Sequence, residues 1–270
     1  MADPQPQQEH RPYLSPEKGE HLQKKTVSAK AMSRLQVAAD AIAATKGAIQ
    51  NQGNQIAALQ RTNMNSQYRL MVMRDPSCWE YTTSVSRQAA YENPEADIAA
   101  KADLAHGGNC GEHAWVAYHY LRQNAKGEHI QVSQKSGFDH AFVLIGDLKK
   151  DTDQDVAVSD PWPNHPTACL WEDHFAFCER SEILDHQSMV ADGRSFKAAI
   201  AAGLKLSARG EQMVKMAASD AETADKVKNW KQNHFWNHDD TAMPTKYDYQ
   251  VDKSQQAGAQ QGQGQQPGAR

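Results

Sequence analysis

The chain has 270 residues, 39% of them apolar and 23% charged, with a formal net charge of −4. That length suits one large domain or two small ones, and the slight acidic balance excludes nucleic acid as a default partner. No run approaches the roughly 18 apolar residues that a membrane span requires.

The opening MADPQPQQEHRPY has no apolar h-region, so a Sec-type signal peptide is not expected. Residues 1–27, dominated by Pro, Gln, Glu and Lys, have almost nothing to bury and are predicted to be disordered. Residues 28–62 form a helical segment in which Leu35, Ile42, Ile49 and Ile56 recur every seven residues as a seam. The companion positions Ala38, Thr45 and Gln52 are poor seam residues, and Gly47 and Gly53 weaken the helix. Such a stripe either packs on the chain's own domain or meets a helical partner or a second copy through residues 28–60.

A catalytic domain is expected over residues 63–245. RLMVM is a short apolar run, DPSCW a turn, and ENPEADIAAKADLA a helix with Asn93 as N-cap and Pro94 as its first residue. His106, Gly107 and Gly108 break that helix, and a central helix starts after Asn109. Within it Cys110, Ala114, Ala117 and Leu121 share a small apolar face flanked by Trp115 and Tyr118. GEHIQVS and HAFVLIGDL read as strands, the second of buried type, and VAVSDPW as a third stopped by proline. Residues 181–236 have helical periodicity again, with FKAAIAAGLKL and EQMVKMAASDAETADKVKNW as candidates. A helix followed by adjacent strands defines an α+β class. Residues 246–270, ending QQAGAQQGQGQQPGAR, are a Gln/Gly-rich tail predicted to be disordered.

Three residue types converge on one chemistry. The four cysteines, Cys78, Cys110, Cys169 and Cys178, form no C-x-x-C pair, so reduced thiols in a reducing compartment are expected. Taken alone, Cys110 fits a small core residue as well as a nucleophile. His140, however, opens the strand in FDHAFVLIG, and Asp160 ends the next in VAVSDPW. If these strands form a hairpin turning near residues 150–153, both side chains fall at the same end of the ladder. A helix laid across that sheet then brings Cys110 to the imidazole. A helix N-terminus and an imidazolium both favour a thiolate. The histidine serves as general base and acid, and the carboxylate fixes its tautomer. Gly107, Gly108 and Gly111 let backbone approach a substrate, and the Cys110 N–H can donate to an oxyanion. Asn109 and Gln88 are candidate second donors, with Gly111 and Trp162 shaping the site.

GNCGEHAWVAYHYL, DHAFVLIG and VSDPWP together resemble the Cys-His-Asp core of the papain-like and transglutaminase-like superfamily, in its bacterial branch of toxins and secreted effectors. The resemblance covers roughly residues 105–165. It implies a papain-like/transglutaminase-like α+β core, its catalytic helix packed on an antiparallel sheet, with extra N- and C-terminal helices. It also implies Cys110 as nucleophile, His140 as base and Asp160 as orienting residue. Acyl transfer on a protein amide would then be hydrolytic, as a protease or side-chain deamidase, with transglutaminase-type transamidation the alternative. The implied setting is an effector delivered by a dedicated secretion machine to a target-cell cytosol, or otherwise a cytoplasmic protein, acting on a host or target-cell protein. No cofactor and no metal are implied. The rival of another class is a non-enzymatic interaction protein using the helix at residues 28–60.

Weaker signals stay with structural readings. His234 and His238, followed by Asp239 and Asp240, have metal-ligand spacing but lack the glutamate of a zinc protease motif. Asp151, Asp153 and Asp155 alternate like a calcium loop without its glycine and distal glutamate. His174 in EDHFAFC echoes DHAF, but no Asp-Pro follows, and it reads as a core-flanking residue.

Overall fold

In the computed structural model, residues 22–163, 166–233 and 247–252 are described. The chain begins with β1 (Gln23–Val27), α1 (Ala29–Ala48), β2 (Asn51–Gln52), α2 (Ile56–Arg61), α3 (Asn65–Arg74), β3 (Trp79–Tyr81), α4 (Ser84–Glu92) and α5 (Pro94–Ala105). Its middle comprises β4 (Gly107–Gly108), α6 (Cys110–Asn124), β5 (His129–Lys135), β6 (Ala141–Ile145), β7 (Ala157–Ser159), β8 (Cys169–Leu170) and β9 (Ile183–Val190). It closes with α7 (Lys197–Ala201), β10 (Leu204–Leu206), α8 (Ala208–Met213), α9 (Asp220–Asn233) and β11 (Tyr247–Val251).

Helices and a mainly antiparallel sheet make this an α+β fold. The main sheet has the order β8-β7-β6-β5-β9, antiparallel throughout. Pleating alternates side chains between faces, and β6 is apolar on both. Val143 and Ile145 join the core beneath α1 and α6, whereas Phe142 and Leu144 join a second core with Trp171, Ala176 and Cys178. The sheet is thus covered by helices on one side and by the 171–178 segment on the other. Among the described residues, no helix is long and apolar enough to cross a membrane.

The α1 helix starts at Ser28, whose side-chain oxygen accepts from the Ala31 N–H at 3.0 Å. Its stripe of Ala31, Leu35, Ala38 and Ala41 shares one core with Ala114 and Ala117 of α6 and with Ile130 and Val143 of the sheet. Leu35, Ile42, Ile49 and Ile56 are all buried, but only the first two lie on α1. The chain leaves the helix at Ile49 and runs extended through Asn51–Gln52, which pair in parallel with Gly107–Gly108. Residues 28–62 are therefore not a segment apart, and their seam is covered by the chain itself rather than left for a helical partner or second copy.

Three further expectations are corrected. Gln23–Val27 and Tyr247–Val251 are not disordered; they pair as parallel strands, Gln23 against Tyr247. The short apolar run RLMVM, left unassigned, lies within α3. Residues 183–190 are a strand, not helix, because β5 offers a full ladder to pair with. LKL, expected at the end of a helix, is β10, paired with β3. Asn93 and Pro94 do open α5, whose Ala96, Ala99, Ala100, Ala102 and Ala105 are buried.

Buried charge ties α1 to the hairpin turn between β6 and β7. Arg34, 4% exposed, bonds Glu128, Asp151 and the Asp155 carbonyl. Ser28 bonds Asp155, Lys30 pairs with Asp151, and Arg180 pairs with Asp153. The alternating aspartates are thus ion-pair and hydrogen-bond partners of the surrounding elements. His234, His238, Asp239 and Asp240 lie outside the described residues.

One buried histidine of α6 makes acid stability predictable. His119 is 1% exposed, and neither ring nitrogen has a hydrogen-bond partner among the described residues. Burial, reinforced by Arg122 and Lys197, lowers its pKa to about 4. The unfolded chain then takes up this proton first, so stability falls from pH ~6.5 downward until the folded ring also titrates. The full effect is on the order of 3 kcal/mol. Denaturant melts of His119→Leu should therefore lose less stability between pH 7 and pH 4 than the parent does. Parallel losses would exclude His119 as the cause.

Candidate active site

Cys110 is the first residue of α6, and its immediate backbone is anchored from several sides. The Asn109 N–H donates to Glu112 Oε2 at 2.7 Å, while Glu112 pairs with Arg74 at 2.9 Å. The Asn109 carbonyl accepts from the His113 backbone N–H at 3.0 Å and from His113 Nδ1 at 2.7 Å. Asn109 Oδ1 accepts from the Asn54 N–H at 3.1 Å, so this amide is engaged with the loop before α2. Gly107 and Gly108 sit against Arg69 and Glu112, where a Cβ would meet their Cβ atoms at 2.6 and 2.5 Å. Internal packing, not approach to a substrate, requires glycine at both. Gly111 by contrast has nothing within 4 Å of a Cβ position.

The four cysteines divide clearly. Cys110 is partly exposed; Cys78, Cys169 and Cys178 are buried. Burial pushes the thiols of those three up, disfavouring their ionised forms.

The hairpin delivers the other two residues. β6 and β7 pair with Val143 opposite Ser159, so His140 and Asp160 stand at the same end as diagonal neighbours. His140 Nε2 lies 2.6 Å from Asp160 Oδ2, with both residues buried. Burial alone would lower the His140 pKa, but the Asp160 carboxylate and the Cys110 sulfur outweigh it and raise the ring to about 10. The Cys110 thiol is near enough to act on the charge of this ring. For Asp160, burial works against the charged form, yet His140 and His174 hold the carboxyl well below the usual range. The protonated imidazole is the form this pocket stabilises.

An aromatic shell encloses the imidazole. Ring centroids of Phe175, Trp162 and Phe138 lie 5.1, 5.3 and 6.4 Å from that of His140. Trp162, expected to shape the site, thus lies against the His140 ring. Its carbonyl accepts from Gln55 Nε2 at 3.4 Å and from Lys46 Nζ at 3.5 Å, and Lys46 also donates to the Pro163 carbonyl at 2.7 Å. Burial lowers the Lys46 pKa to about 8, opposed by Asp160. Lys46 and Gln55 therefore pin the turn that follows Asp160. Gln88 lies elsewhere: it is exposed on α4 and bonds Glu92.

His174 is the residue the sequence reading passed over. It is 5% exposed, and its Nε2 stands 3.2 Å from Asp160 Oδ2. The echo of DHAF in EDHFAFC was a usable signal; Lys46, an ordinary lysine near a helix end, gave none. Among the described residues, His140, Asp160 and His174 offer ligand atoms within 4.8 Å of one another and are the side chains that could hold a cation. Zinc ligands about 2.0–2.1 Å from the metal stand roughly 3.3 Å apart in a tetrahedron. The 2.6 Å separation of His140 and Asp160 is that of a charge-assisted hydrogen bond instead.

Fold and site together define an α+β protein with a partly exposed cysteine at a helix start beside a buried His-Asp pair. No family model, curated protein or solved structure matches the chain.

Proposed function

We propose that this chain is a cysteine-dependent acyltransferase acting on protein amides, built on a papain-like/transglutaminase-like core. Cys110 Sγ attacks the amide carbonyl carbon, His140 carries the thiol proton, and the tetrahedral oxyanion forms at the start of α6. The Cys110 N–H belongs to the first turn, whose N–H groups lack intrahelical acceptors, and supplies one oxyanion donor. Collapse transfers the His140 proton to the leaving amine and leaves a thioester on Cys110. Water, deprotonated by His140, then releases the acid and restores the thiol. Hydrolysis is preferred, as a protease or side-chain deamidase; attack by an amine in place of water gives transamidation.

The observation that supports this most is His140 itself, with Nε2 on Asp160 at 2.6 Å and the Cys110 thiol near enough to act on the charge of the ring. Delivery as a bacterial effector to a target-cell protein rests on the resemblance of the three motifs alone.

Casein incubated with the protein and a fluorescent primary amine tests the reaction class. Peptide mass spectra would report chain cleavage, a gain of about one dalton at glutamine, or an amine adduct. Each must vanish in Cys110→Ala. Products indifferent to that substitution, or none across diverse protein substrates, would refute the proposal.

A further inference from the structure

We propose that His174 is a positioning residue for this site: it holds the Asp160 carboxylate at the rotation that aims the His140 ring at Cys110. The inference rests on the reading of Cys110 and His140 as nucleophile and base.

The proton count on His174 follows from its neighbours. Its Nδ1 accepts from the Ala176 N–H at 3.3 Å, so in the neutral ring the proton sits on Nε2 and is donated to Asp160. Asp160 Oδ2 therefore receives two N–H groups, at 2.6 Å from His140 and 3.2 Å from His174. Oδ1 receives the Trp162 backbone N–H at 3.3 Å. Turning the carboxylate about its Cβ–Cγ bond would disturb all three contacts. With the anion held, the imidazole bound to Oδ2 keeps its plane relative to Cys110.

Packing fixes the donor as well. The His174 ring lies 4.3 Å from Phe175 and 4.9 Å from Phe142, centroid to centroid, and stacks on Trp171. The charged groups facing it are Asp160 and His140; burial and the positive charge of His140 disfavour the protonated form of His174, opposed by Asp160. The preceding residue, Asp173, is gripped from both chain ends. Lys25 of β1 binds it and Glu172 at 2.6 Å each, and the Tyr249 hydroxyl of β11 donates to Asp173 at 2.8 Å. Tyr249 also accepts the Leu170 N–H at 3.2 Å. The segment carrying His174 is thus held from outside the sheet as well as within it.

Two conservative variants separate positioning from bulk packing. In His174→Gln the side-chain amide can place an N–H near the position of Nε2; in His174→Asn the same chemistry is one carbon short. The readout is the rate of Cys110 alkylation by iodoacetamide between pH 5 and 9, with thermal unfolding followed in parallel. A hydrogen bond to a charged group is worth about ten- to a hundredfold. We expect Asn to slow labelling at pH 6 by about tenfold and shift the profile to higher pH, and Gln to stay within about threefold of the parent. A parental profile in Asn, or equal losses in Gln and Asn, would overturn the inference while leaving the thiolate reading in place. Equal labelling of all four cysteines in the parent would overturn both. Nitrogen NMR of the parent gives a check free of substitutions: His174 must carry its proton on Nε2, and a proton on Nδ1 refutes the role.

Discussion

Iodoacetamide at pH 6 should modify Cys110 faster than Cys78, Cys169 or Cys178 by about a hundredfold, and His140→Ala should remove most of that preference. An ordinary thiol is ionised to well under one per cent at this pH, by roughly the 2.5-unit gap from ~8.5. The three buried thiols lie further from ionisation still. Cys110 sits at a helix start next to an imidazole that the pocket keeps protonated to about pH 10. Exposure alone would also speed labelling, which is why the second variant matters. His140→Ala leaves Cys110 at least as accessible but removes the imidazolium. If exposure were the whole cause, that variant would label as fast as the parent, and the proposed ion pair would be lost with it.

Asp160→Asn is expected to lower Cys110-dependent turnover near neutral pH by roughly 10⁴-fold, as when a triad carboxylate becomes an amide in other proteins. An amide has no charge to hold the proton on His140, and burial then favours the neutral ring. Its NH2 group can also donate to Nε2, driving the proton to Nδ1. The substitution has a stability signature whose sign follows from the shifts. The raised His140 pKa contributes stability that is fully present below pH ~6.5 and is lost as pH rises through about 10. The depressed Asp160 pKa contributes stability present above pH ~4 and lost in acid. Denaturant melts of the parent should therefore weaken between pH 6.5 and 10, and Asp160→Asn should lack that contribution. An unchanged alkaline slope would show that the pair is not charged in the folded protein.

Legibility followed the range over which each signal acts. The hairpin could be read because β6 is apolar on both faces and Asp-Pro stops β7; its turn length then set His140 and Asp160 at one end. The start of α6 was readable from the glycines and asparagine before Cys110, although Gly107 and Gly108 prove to serve close packing. The seven-residue spacing of Leu35 to Ile56 misled because four buried residues on two helices and a loop mimic one seam. β9 carries little periodicity of its own; β5 makes it a strand. β1 and β11 lie inside polar ends and owe their order to each other. His174 reaches Asp160 through a fold in the 171–178 segment, which no local pattern encodes.

The pairing of Gln23 with Tyr247 also constrains the order of assembly. Closing so long a loop is entropically costly and slow compared with forming the β6–β7 hairpin. A nascent chain can assemble the β6–β7 hairpin beside α6 while β11 is still being made. Until Tyr249 emerges, its hydroxyl cannot join Lys25 in holding Asp173. The segment carrying His174 thus gains its Tyr249 contact only once β11 has been made, after the β6–β7 hairpin can form.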